Sequence, residues 1–196
     1  DQSGNNNNGI VYGAGLTTDR FGNPESAYFF DGNDDYIRVP DAEQLRLTHN
    51  ISISVWFKTD YALPYASLVC KSTPNEPRNG YVIDIDEQNR IRADLMYDHS
   101  TATGVSLTSN SQLTDNNWHH VVVVYNGNNA MLYIDSQLIT SVNYSSGMRA
   151  NTEPLLIGWD KNNWKSHRHF YGSLDDIRIY NRALNSNEVR NLFNEK

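Results

Sequence analysis

The sequence lacks most simple devices for stapling or anchoring a chain. It carries one cysteine, Cys70, so it can close no disulfide within itself and offers no Cys/His zinc set. Cys70 follows Ser67-Leu68-Val69 in an apolar run, the setting of a buried, inert thiol. No apolar run reaches the roughly 18 residues that a membrane-spanning helix needs. The opening Asp1-Gln2-Ser3-Gly4 has neither an initiator methionine nor a signal peptide, which suits a mature or excised module of a larger chain. Positive charge is also short: 16 Lys and Arg stand against 23 Asp and Glu, for a net charge of -7. The long-range field therefore repels polyanions, and neither nucleic acid nor an anionic membrane is an expected partner.

What the sequence does contain is a series of short runs of β-branched and aromatic residues divided by Asn, Gly, Asp and Ser clusters. These runs are Tyr28–Phe30, Tyr36–Val39, Ile51–Phe57, Ser67–Cys70, Tyr81–Ile85, Arg90–Met96, Trp118–Tyr125, Ala130–Ile134, Leu155–Ile157 and Ile177–Tyr180. Ile51, Ile53, Val55 and Phe57 alternate with Ser52, Ser54 and Lys58, as a strand with one buried face should. Asn126-Gly127 supplies the positive φ of a hairpin turn, and Glu87-Gln88-Asn89 links two further strands. Only the end reads as helix: Asn185 caps, Glu188 completes a capping box, and Val189, Leu192 and Phe193 repeat with helical spacing. The pattern predicts an all-β, two-sheet antiparallel β-sandwich with a short C-terminal helix, in one domain over 1–196. Residues 1–9, rich in Asn and Gly, read as a mobile lead-in unless a ligand ties them down. Abundant Asn, Ser, Thr, Tyr and Asp with little Lys suits a secreted bacterial protein.

Three segments together resemble one family. Phe30-Asp31-Gly32-Asn33-Asp34-Asp35-Tyr36-Ile37 is similar to the opening strand pair of laminin-G-like, concanavalin A-like jelly rolls. Asn117-Trp118-His119-His120-Val121-Val122 with Leu132-Tyr133-Ile134-Asp135 resembles their central strand and the hairpin that follows. Gly172-Ser173-Leu174-Asp175-Asp176-Ile177-Arg178-Ile179-Tyr180-Asn181-Arg182-Ala183-Leu184 is close to their last strand, and Asp1-Gln2-Ser3-Gly4-Asn5 with Gly9 is similar to their usual opening. The resemblance implies a jelly roll over the whole chain. It leaves the activity open, because this fold carries lectins, carbohydrate-binding modules, adhesion domains and glycan-cleaving enzymes.

The resemblance also makes the first and last strands neighbours, which would bring the acidic turn 31–34 beside Asp176. Hard oxygens would then collect with few cations nearby, as Ca²⁺ requires. The expected set for a structural calcium is Asp31, Gly32, Asn33 and Asp176, with Asp1 and Ser3 as further candidates. The competing reading has Asp31 and Asp34 serving a turn while Asp175 pairs with Arg178 or Arg182.

Catalysis finds little support. Laminarinase-type glycosidases of this fold need Glu-x-Asp-x-x-Glu on one strand, and here Val82 stands where the first Glu should be in Val82-Ile83-Asp84-Ile85-Asp86-Glu87. Asp84 and Asp86 read as strand-end and turn carboxylates. Arg90-Ile91-Arg92 and Tyr97-Asp98-His99 only faintly echo the jelly-roll alginate lyases, no Gly-x-Ser-x-Gly exists, and His119-His120 reads as a packed, hydrogen-bonded pair.

The run Trp159-Asp160-Lys161-Asn162-Asn163-Trp164-Lys165-Ser166-His167-Arg168-His169 holds two of the four tryptophans. Trp56 and Trp118 occupy strand positions where packing accounts for them. Trp159 and Trp164 flank a turn-forming run, and sugars stack their CH faces on exposed aromatics while Lys, Arg, His and Asn bond their hydroxyls and carboxylates. The predicted glycan-binding set is Trp159, Trp164, Lys161, Lys165, Arg168 and His169, faced by Tyr97 and His99, with Tyr61 or Tyr65 nearby. Its cationic excess favours an acidic polysaccharide. The alternative is that either tryptophan folds under the loop as a satellite core. The resulting expectation is a noncatalytic glycan-binding module, calcium-stabilised, joined to other domains of a secreted chain; the alternative is an adhesion or spacer domain.

Overall fold

The structure, a computed structural model, describes residues 1–75, 78–98, 103–161 and 168–195, with the side chains of residues 98 and 103 excepted. Two seven-stranded antiparallel sheets face one another, and one C-terminal helix, α1 (Ser186–Asn194), lies outside them. The first sheet runs in the order β1 (Ile10–Tyr12), β4 (Tyr36–Val39), β13 (Leu155–Ile157), β6 (Ala66–Ser72), β7 (Gly80–Ile85), β8 (Ile91–Asp98), β9 (Thr103–Thr108). The second runs β12 (Gln137–Asn143), β11 (Asn129–Ile134), β10 (Trp118–Asn126), β5 (Asn50–Lys58), β14 (Tyr171–Tyr180), β3 (Ala27–Asp31), β2 (Gly15–Thr17). The expected β-sandwich is thus present, including the pairing of β3 with the last strand.

The period-2 pattern decides which face each strand buries. On β5, Ile51, Ile53, Val55 and Phe57 point between the sheets and meet Val121, Val123 and Tyr125 of β10 and Val69, Ile83 and Leu95 of the opposite sheet in one cluster. Each such aliphatic side chain contributes ~1.5–3 kcal/mol by leaving water.

The outward residues of β5 are covered as well. Trp56, expected in the core, lies on the outer face, where it stacks on His120 at 4.8 Å and on Phe193 of α1 at 5.5 Å. Val122, Val124, Tyr133, Leu184 and Val189 complete this smaller cluster beneath the helix. The Asn185–Glu188 capping box forms as predicted. On both sheets, the outer faces toward the 31–36 and 59–65 turns carry aromatic side chains that α1 does not reach.

Candidate functional site

The first sheet ends near this edge with a change of chain direction. After β13, Gly158 adopts φ +81, and a Cβ there would stand 2.5 Å from the Phe30 ring. The turn therefore requires glycine, both for its left-handed backbone and for the approach of Phe30. It carries Trp159 onto the outer face of the sheet instead of into the core. The chain returns at Phe170, whose N–H donates to the Gly158 carbonyl at 2.8 Å and whose ring is buried against Phe30.

Four rings then form a continuous row across the outer face. Tyr12 stacks on Tyr36 with centroids 4.6 Å apart and planes 12° apart. Tyr36 meets Trp159 at 4.9 Å, and Trp159 lies flat on His169 at 5.2 Å and 8°. Tyr12, at the sheet edge, is 40% exposed, while Tyr36, Trp159 and His169 are half-buried. Beneath the row, Cys70, Val82, Met96 and Leu156 form a buried apolar floor. Burial pushes the Cys70 thiol well up, so it is the inert sulfur expected. Tyr12 and Tyr36 were not among the predicted contacts. The signal for Tyr36 was present, since it alternates with Ile37 and Val39 and so must face outward.

The floor continues into a buried ionic layer. Asp160 accepts from Arg78 at 2.9 Å and from Arg168 at 2.5 Å. Asp84, fully buried, holds Arg92 through both oxygens at 2.9 and 2.6 Å, and Arg92 reaches Asp94 at 3.4 Å. The Arg92 and Arg168 guanidinium groups both lie over the Tyr65 ring, at 4.7 and 5.3 Å, and the Tyr65 hydroxyl donates to Glu87 at 2.9 Å. Burial pushes the Asp84 carboxyl up to about 6, whereas the same contact holds Arg92 more firmly protonated. The two shifts oppose one another, and the two-pronged geometry favours the ionised pair.

Several predicted contacts are corrected by these positions. Arg168 is 5% exposed and turned to Asp160, so it is a structural cation and not a ligand contact. Lys161 pairs with Glu153. The two described cations of the run are thus paired, while Lys165, the third on which an acidic-glycan preference was based, lies outside the described residues. His169 turns its Nδ1 to the Asp35 carbonyl at 3.3 Å and its face to Trp159. Trp159 is partly the satellite-core residue and partly the exposed platform, because one side packs on the floor. Tyr97 is exposed, but β8 lies three strands from β13, roughly 14 Å at sheet spacing. Trp164, Lys165 and His99 lie outside the described residues.

The expected calcium set does not assemble. Asp31 stands opposite Tyr171 in the β3–β14 register, so Asp176 lies five residues further along β14, on the order of 15 Å away. Asp31 accepts from Asn33 N at 2.8 Å and from Asn33 Nδ2 at 3.0 Å, and these bonds hold its carboxyl below the usual range. Asp176 pairs with Arg20 at 2.7 Å, and Asp175 takes the same guanidinium at 2.8 Å, where Arg178 or Arg182 had been expected. Alternation along the strand fails here because β14 bulges between Asp175 and Arg178, with Asp176 at φ +43, so both carboxylates reach one arginine. Asp31 and Asn33 thus shape the turn and share no single ion with Asp176, while the carboxylates of Asp31, Asp34 and Asp35 bring oxygens within 4.8 Å of one another. Asp1 and Ser3 do share a cavity lining with Asp176, although the Asp1 carboxylate already accepts from Ser3 and from the Asn7 N–H.

The carboxylates considered for catalysis are likewise engaged. Asp84 is held by Arg92 as above, and Asp86 accepts from the Gln88 and Arg90 N–H groups at 2.8 and 3.0 Å, the turn role expected. His120 is buried, with Nε2 at 2.8 Å from Ser54 Oγ, and His119 bridges Asp135 and Asp115 at 2.8 and 3.1 Å.

A family model of the concanavalin A-like lectin/glucanases superfamily matches residues 31–190, and the chain belongs to that superfamily. Among solved structures, the binding domain of Paraclostridial Mosquitocidal Protein 1 superposes with a TM-score of 0.79 at 20% identity, covering 99% of this chain and 48% of that one. The botulinum neurotoxin serotype D ligand binding domain in complex with N-acetylneuraminic acid gives a TM-score of 0.72 at 18% identity over 96% of this chain and 46% of that one. Domain 4 of AbnA, a GH43 extracellular arabinanase from Geobacillus stearothermophilus, in complex with arabinotriose, gives 0.69 at 17% identity, covering 94% of this chain and 87% of that one. The chain spans about half the length of the toxin domains it resembles. A comparison with curated protein sequences gives no match. Among the described residues, no helix is long and apolar enough to cross a membrane.

Proposed function

We propose that the chain is a noncatalytic saccharide-binding module, with the Tyr12–Tyr36–Trp159–His169 row as its contact surface. The observation that carries the reading is the unbroken stack of four partly exposed rings. Rings held by neighbours at fixed angles present apolar faces that need no ordering when a sugar stacks on them. The apolar floor supports Tyr36 and Trp159 from behind, and Lys161 and Arg168 are held by Glu153 and Asp160, so we read the ligand as a neutral saccharide, with Arg38, beside Tyr36 on the same face and opposite Leu156, available to its hydroxyls. The sugar-bound toxin and arabinanase domains of the same fold support saccharide binding, the arabinotriose complex alone being with a neutral sugar, and the extracellular arabinanase supports a place outside the cell. Affinity electrophoresis against neutral and acidic polysaccharides, with product analysis on the same samples, tests it. Retention without products is expected; the appearance of shortened chains would identify an enzyme instead.

A second reading has one observation behind it: Ile10, Val11 and Leu16, on the edge strands β1 and β2, are all exposed. Bare apolar edge strands suit a protein partner. Failure of every saccharide in the electrophoresis would favour this adhesion reading.

A further inference from the structure

The second sheet carries another aromatic group that no core requires. Phe29 on β3 and Tyr171 on β14 meet edge to face at 5.5 Å, and Tyr61, in the turn after β5, meets Tyr171 at 6.3 Å. All three stand outside the sheets, because the intervening Phe30 and Phe170 fill the inner face. Phe29 is 37% and Tyr61 57% exposed. The same outer face is covered further along, where α1 lies on Trp56 and Arg20 lies over Trp56 at 4.7 Å.

We infer that Phe29, Tyr171 and Tyr61 form a second saccharide-binding surface, and that one neutral polysaccharide chain engages it together with the Trp159 row. The inference rests on the saccharide-binding reading above. Three observations select this ligand. The patch is three rings wide, the length of a two- or three-residue sugar chain and far short of the ~800 Å² per partner that a stable protein interface buries. Its surroundings are polar and acidic on balance, with Asp31, Asn33, Asp34 and Asp60 all exposed against the half-buried Lys58, which stands beside Ser173 in the same cross-strand row as Phe29. Such a rim hydrogen-bonds sugar hydroxyls and repels sialylated or sulfated chains as well as anionic lipid.

The third observation is continuity with the first surface. Gly32 packs on Tyr171, where a Cβ would stand 3.0 Å from the tyrosine Cβ. Three residues on in the same turn, the Asp35 carbonyl faces His169. Residues 169, 170 and 171 alternate His169 to the first surface, Phe170 to the core and Tyr171 to the second. The two aromatic groups therefore meet at one ridge, the 31–35 turn, and a polymer crossing that ridge gains avidity from both.

The test compares the wild type with F29A/Y61A, W159A and the triple variant by affinity electrophoresis in linear arabinan, galactan, mixed-linkage β-glucan and polysialic acid, with melting temperatures measured in parallel. A neutral polymer should retain the wild type, F29A/Y61A should weaken retention at least tenfold while melting like the wild type, and the triple variant should not be retained. Retention unchanged in F29A/Y61A but lost in W159A would overturn the second surface and leave the first standing. Retention lost in F29A/Y61A but unchanged in W159A would do the reverse. Preferential retention in polysialic acid would overturn the neutral class, and no retention in any polymer would overturn both readings.

Discussion

The indole of Trp159 lies flat on the imidazole of His169, with centroids 5.2 Å and planes 8° apart, while its other contacts are Tyr36 and the apolar floor over Cys70. The residue is at once packing and platform, so its removal must cost both stability and affinity. Tyr12, at the open end of the row, contributes mainly to the platform. Tyr12→Ala should weaken saccharide binding by about 1–2 kcal/mol with an unchanged melting temperature, whereas Trp159→Ala should weaken binding by about 2 kcal/mol and lower the melting temperature too. Isothermal titration with calorimetric melting separates the two effects; equal binding by Tyr12→Ala would remove that ring from the surface.

Arg20 neutralises Asp175 and Asp176 together, at 2.8 and 2.7 Å. Arg20→Ala leaves the half-buried Asp175 carboxylate without its cation and should cost about 2–4 kcal/mol. Asp175→Asn in that background should recover part of the loss, because the residual penalty is an unpaired charge. Chemical denaturation of the single and double variants checks this, and an additive double variant would contradict it.

Gly158→Ala adds a Cβ 2.5 Å from the Phe30 ring at a φ of +81. The substitution should destabilise by about 2 kcal/mol or more through strain and overpacking. It should also weaken saccharide binding, because this turn sets the position of Trp159. A wild-type melting temperature would show that the turn accommodates a side chain.

Burial holds the His120 imidazole down at about 4, below its ordinary value of about 6.5. Between these values the unfolded chain binds the extra proton, so stability is complete above about 6.5 and falls as the pH drops toward 4, by on the order of 3 kcal/mol from this group. Asp84, pushed up to about 6, pulls the opposite way in the same window, so the His120 contribution is read as a difference. Stability curves from pH 4 to 7 for wild type and His120→Gln should diverge toward neutral pH, the wild type gaining on the variant as the pH rises from about 4 to about 6.5. Parallel curves would contradict the assignment.

Asp31 and Asp176 belong to separate ends of the β3–β14 pair, so no calcium ion can draw on both. Melting temperatures measured with calcium and with chelator should show no response that is lost in both Asp31→Asn and Asp176→Asn. A response abolished by either substitution alone would bring the two carboxylates to one ion and overturn the separation.

Much of the fold was legible because it depends on period-2 burial. β4 and β13 span the residues expected, and β5, β7, β10 and β11 differ only by their end residues. The strands β1, β2, β9 and β12 were not legible. Three of them lie at sheet margins with mostly exposed residues, and Thr103–Thr108 carries Gly and Ser where β-formers are expected. The site was less legible for a different reason. Arg20 and Asp175 are 155 residues apart in sequence, and the bulge at Asp176 inverts the alternation on which the carboxylate reading relied. Trp159 could be singled out by its turn-rich neighbours, but nothing local to it indicates that Tyr36 and Tyr12 continue the row.

The most direct test of the saccharide surface is the indole region of the NMR spectrum, where four tryptophans give four side-chain N–H signals and Trp159→Phe identifies one. On saturation with a neutral oligosaccharide cut from the polymer that retains the chain, the Trp159 signal should shift while Trp56, enclosed beneath α1, stays in place. Saturable binding with an unmoved Trp159 signal would contradict the account.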